Sequence, residues 1–241
     1  MKVFFISDLH LNEKAINSYK LFVKFCENLP LDTQSVYILG DLFEFWIDDN
    51  WNTKFLIRVK KTLQELTKKC KVYFIAGNRD FLIGEKFAQE TEIIILPNIF
   101  YLNLFGYRTL LMHGDLLSSS DRLHFYFTKI IRHPITISIA HILPIKLKLI
   151  LAKILRILSQ KKHLKKKTIY NNTIKDDICI SSVNTLMKKY SVELLIHGHT
   201  HKPNIYNYNK IFTRIVLSDW DHQATILEFT PHGYQLKTIS N

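Results

Sequence analysis

The chain has little of what interrupts regular structure: seven glycines and six prolines in 241 residues. That scarcity excludes a collagen-like or linker-rich chain and leaves room for one domain with a full core. Cysteine is scarcer still. Cys26, Cys70 and Cys179 are odd in number and have no paired spacing, which argues against a disulfide framework. The start lacks the basic, apolar and small-residue succession of a secretory leader, because Val3-Phe4-Phe5-Ile6 enters a strand at once. A reduced cytosolic compartment is expected. No run reaches the ~20 apolar residues, nearly free of charge, that a spanning helix needs, and no repeat or low-complexity segment breaks the chain.

What is present is concentrated in five short phrases: Ser7-Asp8-Leu9-His10, Gly40-Asp41, Gly77-Asn78-Arg79-Asp80, His113-Gly114-Asp115 and His197-Gly198-His199-Thr200-His201. Each follows an apolar run, as in Val36-Tyr37-Ile38-Leu39 or Leu194-Leu195-Ile196. Short runs rich in β-branched and aromatic residues, closed by Gly and a polar residue, read as buried strands. The phrases then bring Asp8, His10, Asp41, Asn78, His113, His197 and His199 to one sheet edge. Carboxylate, imidazole and amide oxygen suit Mn, Fe, Zn or Mg, and no thiolate is involved. Two such ions roughly 3.5–4 Å apart can activate water and clamp the oxygens of an in-line phosphoryl displacement. Asp41 is the natural bridge between them. The neighbouring glycines are expected to permit sharp turns and close approach of substrate. Any one phrase is a common turn; all five in this order, each after a strand, point to a two-metal hydrolase.

This set, D-x-H, GD, GN, HG and GHxH, resembles the calcineurin-like metallophosphoesterases. The likeness extends over nearly the whole chain to the UDP-2,3-diacylglucosamine pyrophosphohydrolase family of bacterial lipid A synthesis, through ISDLHL (6–11), LGDLFEFWIDD (39–49), GNRDFLIG (77–84), MHGDLLSSSD (112–121) and LIHGHTHKP (195–203). The resemblance implies an α/β fold, a two-sheet β-sandwich flanked by helices. It implies one metal on Asp8, His10, Asp41 and His199, and a second on Asp41, Asn78, His113 and His197, most simply both Mn2+. The implied reaction is hydrolysis of the diacylated UDP-sugar to UMP and 2,3-diacylglucosamine 1-phosphate, with metal-activated water attacking the α-phosphorus. Asp41, Asn78 and Arg79 are the implied catalytic residues. Implied substrate contacts are Asn78, Arg79, Asp121, Ser159, Lys166 and His197, with His163 standing where the family carries Asn.

Arg79 departs from the wider superfamily, in which a histidine follows the GN pair and protonates a leaving alkoxide. An arginine cannot act as an acid near neutral pH, but its fork fits phosphate oxygens. A phosphoanhydride releases a stable phosphate anion, so Arg79 favours pyrophosphate over monoester cleavage. The bland alternative is that Arg79 only pairs with Asp80 or a neighbouring acid.

The formal net charge of +12 is unevenly spread. Residues 122–175 hold 13 Lys or Arg and no Asp or Glu, whereas the rest of the chain holds 20 basic and 21 acidic residues. The segment at about 122–170 therefore reads as an insert in a single domain. Its 145–158 stretch is an Ile- and Leu-rich helix pattern, with Lys148 interrupting the apolar side. It reads as a lid over acyl chains that meets an anionic inner-membrane surface, as a nucleic-acid patch, or as a plain helical hairpin. The first is preferred, because a nucleic-acid surface would interleave stacking aromatics. Thus no nucleic-acid partner is expected, and no protein partner is implied. A nucleotide pyrophosphatase or nuclease is the alternative activity, and a metal-free binding scaffold a third. Elsewhere, 16–28, 55–70 and 181–190 read as helices, and 211–217 and 225–229 as strands of the second sheet. The 43–51 loop reads as a hydrophobic plug. Among the remaining histidines, only His201 lies close to the motifs.

Overall fold

A computed structural model of the chain describes residues 1–117, 178–208 and 211–240, together with 136, 142–144 and 147–148. The first sheet contains β1 (Lys2–Ile6), β2 (Thr33–Ile38), β3 (Lys71–Ile75) and β4 (Ile94–Leu96), all parallel, with β10 (Gln223–Thr230) and β11 (Gly233–Ser240) added antiparallel beyond β1. The second contains β5 (Ile99–Leu104), β6 (Tyr107–Met112), β7 (Leu194–His197), β9 (Phe212–Val216) and β8 (Asn204–Tyr208), in that spatial order. Its three central strands, β6, β7 and β9, are parallel.

The apolar runs carry no alternation because both faces of each sheet are covered. In β1, Val3 and Phe5 join Leu111, Ile196 and Ile215 of the second sheet, while Phe4 and Ile6 pack with Phe22 and Val36 on the other side. That outer layer is α1 (Ile16–Glu27), α2 (Lys54–Lys69) and α3 (Glu85–Thr91). The second sheet's outer face is covered by α4 (Ile180–Tyr190), whose Val183 and Met187 meet Leu110, Met112 and Leu195. Helix α2 shows why such segments form. Thr53 caps it by accepting the Leu56 N–H at 3.2 Å, Leu56, Val59, Leu63 and Leu66 make one buried stripe, and Lys68 and Lys69 close the last turn. Each buried Leu or Phe contributes ~1.5–3 kcal/mol through apolar surface removed from water. No helix among the described residues is long and apolar enough to cross a membrane. Cys26, Cys70 and Cys179 form no disulfide among the described residues.

One expectation is corrected. The 225–229 strand belongs to the first sheet, not the second: Val3 pairs with Phe229 and Phe5 with Leu227. Leu227 and Phe229 face the second sheet, so their apolar character does not name the sheet they pair in. Lys148 is buried, and its ammonium donates to Asp48 in the 43–51 loop. That loop is the expected plug: Phe43, Trp46 and Ile47 are buried, and Asp49 accepts from Trp46 Nε1 at 3.0 Å and from the Phe87 N–H at 3.1 Å.

Candidate metal centre

All five phrases stand at carboxyl ends of parallel strands, the edge where open α/β sheets bind ligands. Backbone bonds fasten their loops to each other. Asp8 N–H donates to Gly40 C=O and His10 N–H to Asp41 C=O, both at 3.0 Å, while Gly198 N–H donates to His113 C=O at 2.9 Å. The two sheets are tied directly where Asp8 Oδ2 accepts the His199 N–H at 2.9 Å. Asp8, His10, Asp41, His199 and His201 all adopt left-handed backbone, with φ of 56°, 49°, 51°, 70° and 55°. Such strain, of order 1–3 kcal/mol per residue, persists where the surroundings over-determine it and clusters at functional sites.

Glycine is required here by close approach of the protein's own carboxylates. A Cβ on Gly77 would lie 2.1 Å from Asp41 Oδ1, and one on Gly198 2.1 Å from Asp8 Oδ2.

The donors converge in two overlapping groups. Ligand atoms of Asp8, His10 and His201 lie within 4.8 Å of one another, as do those of Asp8, Asp41 and His113. His113 donates Nδ1–H to the Leu39 carbonyl at 2.9 Å, which turns Nε2 toward the cluster. Nε2 faces Asn78 Oδ1 at 3.0 Å and His199 Nδ1 at 3.2 Å, with Asp41 Oδ1 at 3.6 Å. Burial opposes charge on this ring, but Asp41 and Asp8 raise its pKa above the ordinary 6.5, and a cation bound among these donors would take the place of that proton. The residues present therefore fit divalent metal ions: oxygen and imidazole donors, convergent, with a histidine tautomer held from behind as metal ligands are.

The protonation pattern is set by burial against neighbouring charge. Burial opposes the charge of Asp8, but the His201 hydrogen bond and the nearby His113 hold its pKa down to about 2. Burial and the neighbouring His113 lower His199 to about 4, so its imidazole is neutral and free to ligate. Asp80 is fully buried, and burial together with Asp41 raises it to about 7. Its carboxyl gathers the N–H groups of Leu42 at 2.7 Å and Gly77 at 2.8 Å, clamping the Asp41 and Asn78 loops together.

Asp8, His10, Asp41, Asn78, His113 and His199 thus meet as the motifs suggest. His197 does not join them. Leu194 and Ile196 face the other sheet, while Leu195 faces α4; two residues on, His197 shares the outward parity of Leu195. It is fully buried, its Nδ1–H donates to the Gly198 carbonyl at 2.8 Å, and burial lowers its pKa to about 3. His201, which the sequence singles out only for lying close to the motifs, reaches the cluster instead. Its Nε2 lies 3.3 Å from Asp8 Oδ1 and 3.4 Å from His10 Nε2, and its Nδ1 lies 3.3 Å from Asp219. His197, His199 and His201 alternate in sequence, so the pattern alone does not say which two of them face the cluster.

Arg79 pairs with a neighbouring acid, as the bland alternative has it, though the partner is not Asp80. Its Nη1 donates to Glu44 at 2.9 Å, its Nε lies 3.9 Å from Asp41 Oδ2, and its backbone N–H donates to Asp41 Oδ1 at 2.9 Å. Asp121, Ser159, His163 and Lys166 lie outside the described residues.

A two-sheet sandwich whose strand-end loops gather hard donors beside an arginine is the architecture of a metal-dependent phosphoester hydrolase. The chain belongs to the calcineurin-like phosphoesterases, whose family description matches residues 1–203. Similar curated proteins are named UDP-2,3-diacylglucosamine hydrolase. That of Vibrio vulnificus (strain YJ016) is 38% identical over 243 residues, covering 98% of this chain and 97% of that one. Those of Histophilus somni (strain 129Pt) and Vibrio atlanticus (strain LGP32) are 37% and 35% identical, covering 97% and 98% of this chain and 98% and 97% of theirs. Among solved structures, an archaeal phosphodiesterase superposes with a TM-score of 0.50 at 14% identity, covering 99% of this chain and 100% of that one, a likeness of fold alone.

Proposed function

We propose that this chain is a pyrophosphohydrolase of lipid A biosynthesis, cleaving UDP-2,3-diacylglucosamine to UMP and 2,3-diacylglucosamine 1-phosphate. The observation that carries this reading is Arg79, held beside Asp41 at the donor cluster where an acid would serve a monoesterase. Full-length similarity to the diacylglucosamine hydrolases supports the substrate.

Two divalent ions, Mn2+ in the first instance, would be held by Asp8, His10, Asp41 and His201, and by Asp41, Asn78, His113 and His199. When bound, such ions acidify water and neutralise phosphoryl charge. The chain's own residues do the rest. Asp41 Oδ1 anchors the Arg79 backbone, so the guanidinium is carried on the loop that carries Asn78. Arg79 is always charged and presents its fork to the α-phosphoryl oxygens as charge accumulates there. Water adds to the α-phosphorus beside uridine, its proton passing to bulk solvent, and the bond to the bridging oxygen breaks. The electron pair leaves on the lipid phosphate, which needs no proton at neutral pH.

The basic segment at about 122–170 would act as a lid within the single domain, taking the acyl chains, with Asp121, Ser159, His163 and Lys166 contacting the substrate. Its lysines would rest the protein on the anionic cytoplasmic face of the bacterial inner membrane, each contributing about 1 kcal/mol at most. Neither nucleic acid nor a protein partner is required. The test is product analysis of purified protein with Mn2+, using the diacylated UDP-sugar, a chain-free UDP-sugar and a model phosphodiester. UMP and the lipid phosphate should form from the first only, and chelation should stop their formation. Equal efficiency on diacylated and chain-free substrates would instead identify a nucleotide pyrophosphatase.

A further inference from the structure

Glu44 stands between the two halves of the proposed machinery. Its Oε1 accepts from Arg79 Nη1 at 2.9 Å, and its Oε2 lies 3.4 Å from His10 Nδ1. The His10 ring is thereby bracketed. Its Nε2 lies 4.0 Å from Asp8 Oδ1 and 4.0 Å from Asp41 Oδ2, inside the donor cluster, while Nδ1, buried and making no hydrogen bond among the described residues, looks away from the cluster toward the Glu44 carboxylate. A carboxylate behind a ligating imidazole selects the Nδ1–H tautomer, orients the ring and makes the other nitrogen a better donor.

The Glu44 backbone is placed by the same loops. Its N–H donates to Leu11 C=O at 3.2 Å, and Trp46 N–H, two residues on, donates to Arg79 C=O at 3.0 Å. One side chain is therefore fixed against both the His10 loop and the Arg79 loop. Arg79 has five N–H donors. Engaging Nη1 with Glu44 fixes the fork and leaves its other donors for phosphoryl oxygens.

We propose that Glu44 is a positioning residue that couples the first metal site to the Arg79 clamp, orienting His10 with one carboxylate oxygen and Arg79 with the other. This rests on the pyrophosphohydrolase reading for Arg79, but its metal-site half does not depend on the substrate.

The test is calorimetric titration of Mn2+ into metal-free wild type, Glu44→Gln and Glu44→Ala, with kcat and KM then measured at saturating metal. Glu44→Ala should weaken the first Mn2+ by about 10–100-fold, the range for loss of an outer partner of a metal ligand. Glu44→Gln keeps an oxygen acceptor for His10 Nδ1–H and should recover most of that affinity without restoring kcat, because it offers Arg79 no charge. In an Arg79→Ala background, Glu44→Ala should cost no further kcat while the Mn2+ defect persists. Mn2+ affinity within twofold of wild type in Glu44→Ala, with folding intact by melting of the metal-free protein, would overturn the proposal. So would additive kcat losses with Arg79→Ala. Wild type that binds two Mn2+ yet leaves UDP-2,3-diacylglucosamine uncleaved would fail the substrate reading alone; the Mn2+ titrations would still decide the role of Glu44.

Discussion

Strands β6 and β7 are parallel neighbours, pair residue by residue from Thr109 with Leu194 to Leu111 with Ile196, and both lead into His-Gly. Yet the two histidines serve opposite sides of the sheet. His113 follows Met112 with the parity of Leu111, turns into the space between the sheets, and donates to the Leu39 carbonyl of the first sheet. His197 is still within β7, has the parity of Leu195, and is buried toward the outer face, where burial and the like charge of Arg214 keep its imidazole neutral. Both strands stop at the same level, Met112 opposite His197, and the histidine's place one residue earlier in β7 than in β6 decides which imidazole reaches the donor cluster. From β7 the cluster is then reached only beyond the strand, at His199 and His201, where left-handed backbone turns the chain back over Asp8.

The largest effect should come from Asp41, the residue that both proposed metal sites share. Asp41→Asn should lower kcat by more than about 100-fold, beyond the range for outer-partner losses, and reduce bound Mn2+ from two to one or none. Wild-type metal content with full activity would remove the shared-bridge assignment. Next is the contrast between strand ends. His201→Ala should lose activity by a comparable factor and lose one metal, whereas His197→Ala should keep both metals and act mainly on stability. Metal analysis and melting of the two variants side by side measure this, and the reverse outcome would restore the other phase of the motif.

A smaller effect is expected from Arg79→His. Anhydride hydrolysis should fall by 10–100-fold, about 1.4–2.8 kcal/mol of transition-state stabilisation, with metal content unchanged. An unchanged kcat/KM would make Arg79 merely structural.

Stability supplies a further comparison, away from the strand ends. The buried Asp48–Lys148 pair joins the 43–51 loop to a residue of the basic segment. Burial works against Asp48, but Lys148 and Asn50 hold its pKa below the ordinary 3.8. A depressed carboxylate stabilises the fold above its unfolded pKa, and that contribution is lost as pH falls through the folded value. Asp48→Asn should therefore lower stability at pH 7 by about 3 kcal/mol, because it leaves the Lys148 ammonium buried without its counter-charge. The gap in melting temperature from wild type should close as the pH drops below about 4. A gap independent of pH would mean that packing, not charge, holds this contact.

The five apolar runs and their closing phrases were legible because each states its own strand and loop, and the first sheet's donors fell where the motifs put them. Strand assignment was less legible: 225–229 sets Leu227 and Phe229 on one face and Ile226 and Glu228 on the other, a pattern that does not distinguish pairing with β1 from pairing with β9. A lack of alternation hid the parity of β7. With Leu194, Leu195 and Ile196 all buried, periodicity could not tell which of three alternating histidines turns inward. Asp80 was overlooked for another reason. Its work is done on backbone N–H groups of loops distant in sequence, which leave no side-chain signature.

The most direct measurement is anomalous diffraction at the manganese edge from crystals of the Mn2+-loaded protein. Two peaks are expected, one among Asp8, His10, Asp41 and His201 and the other among Asp41, Asn78, His113 and His199, with none at His197 Nε2. A peak on His197, or a single peak that leaves out Asp41, would contradict the account.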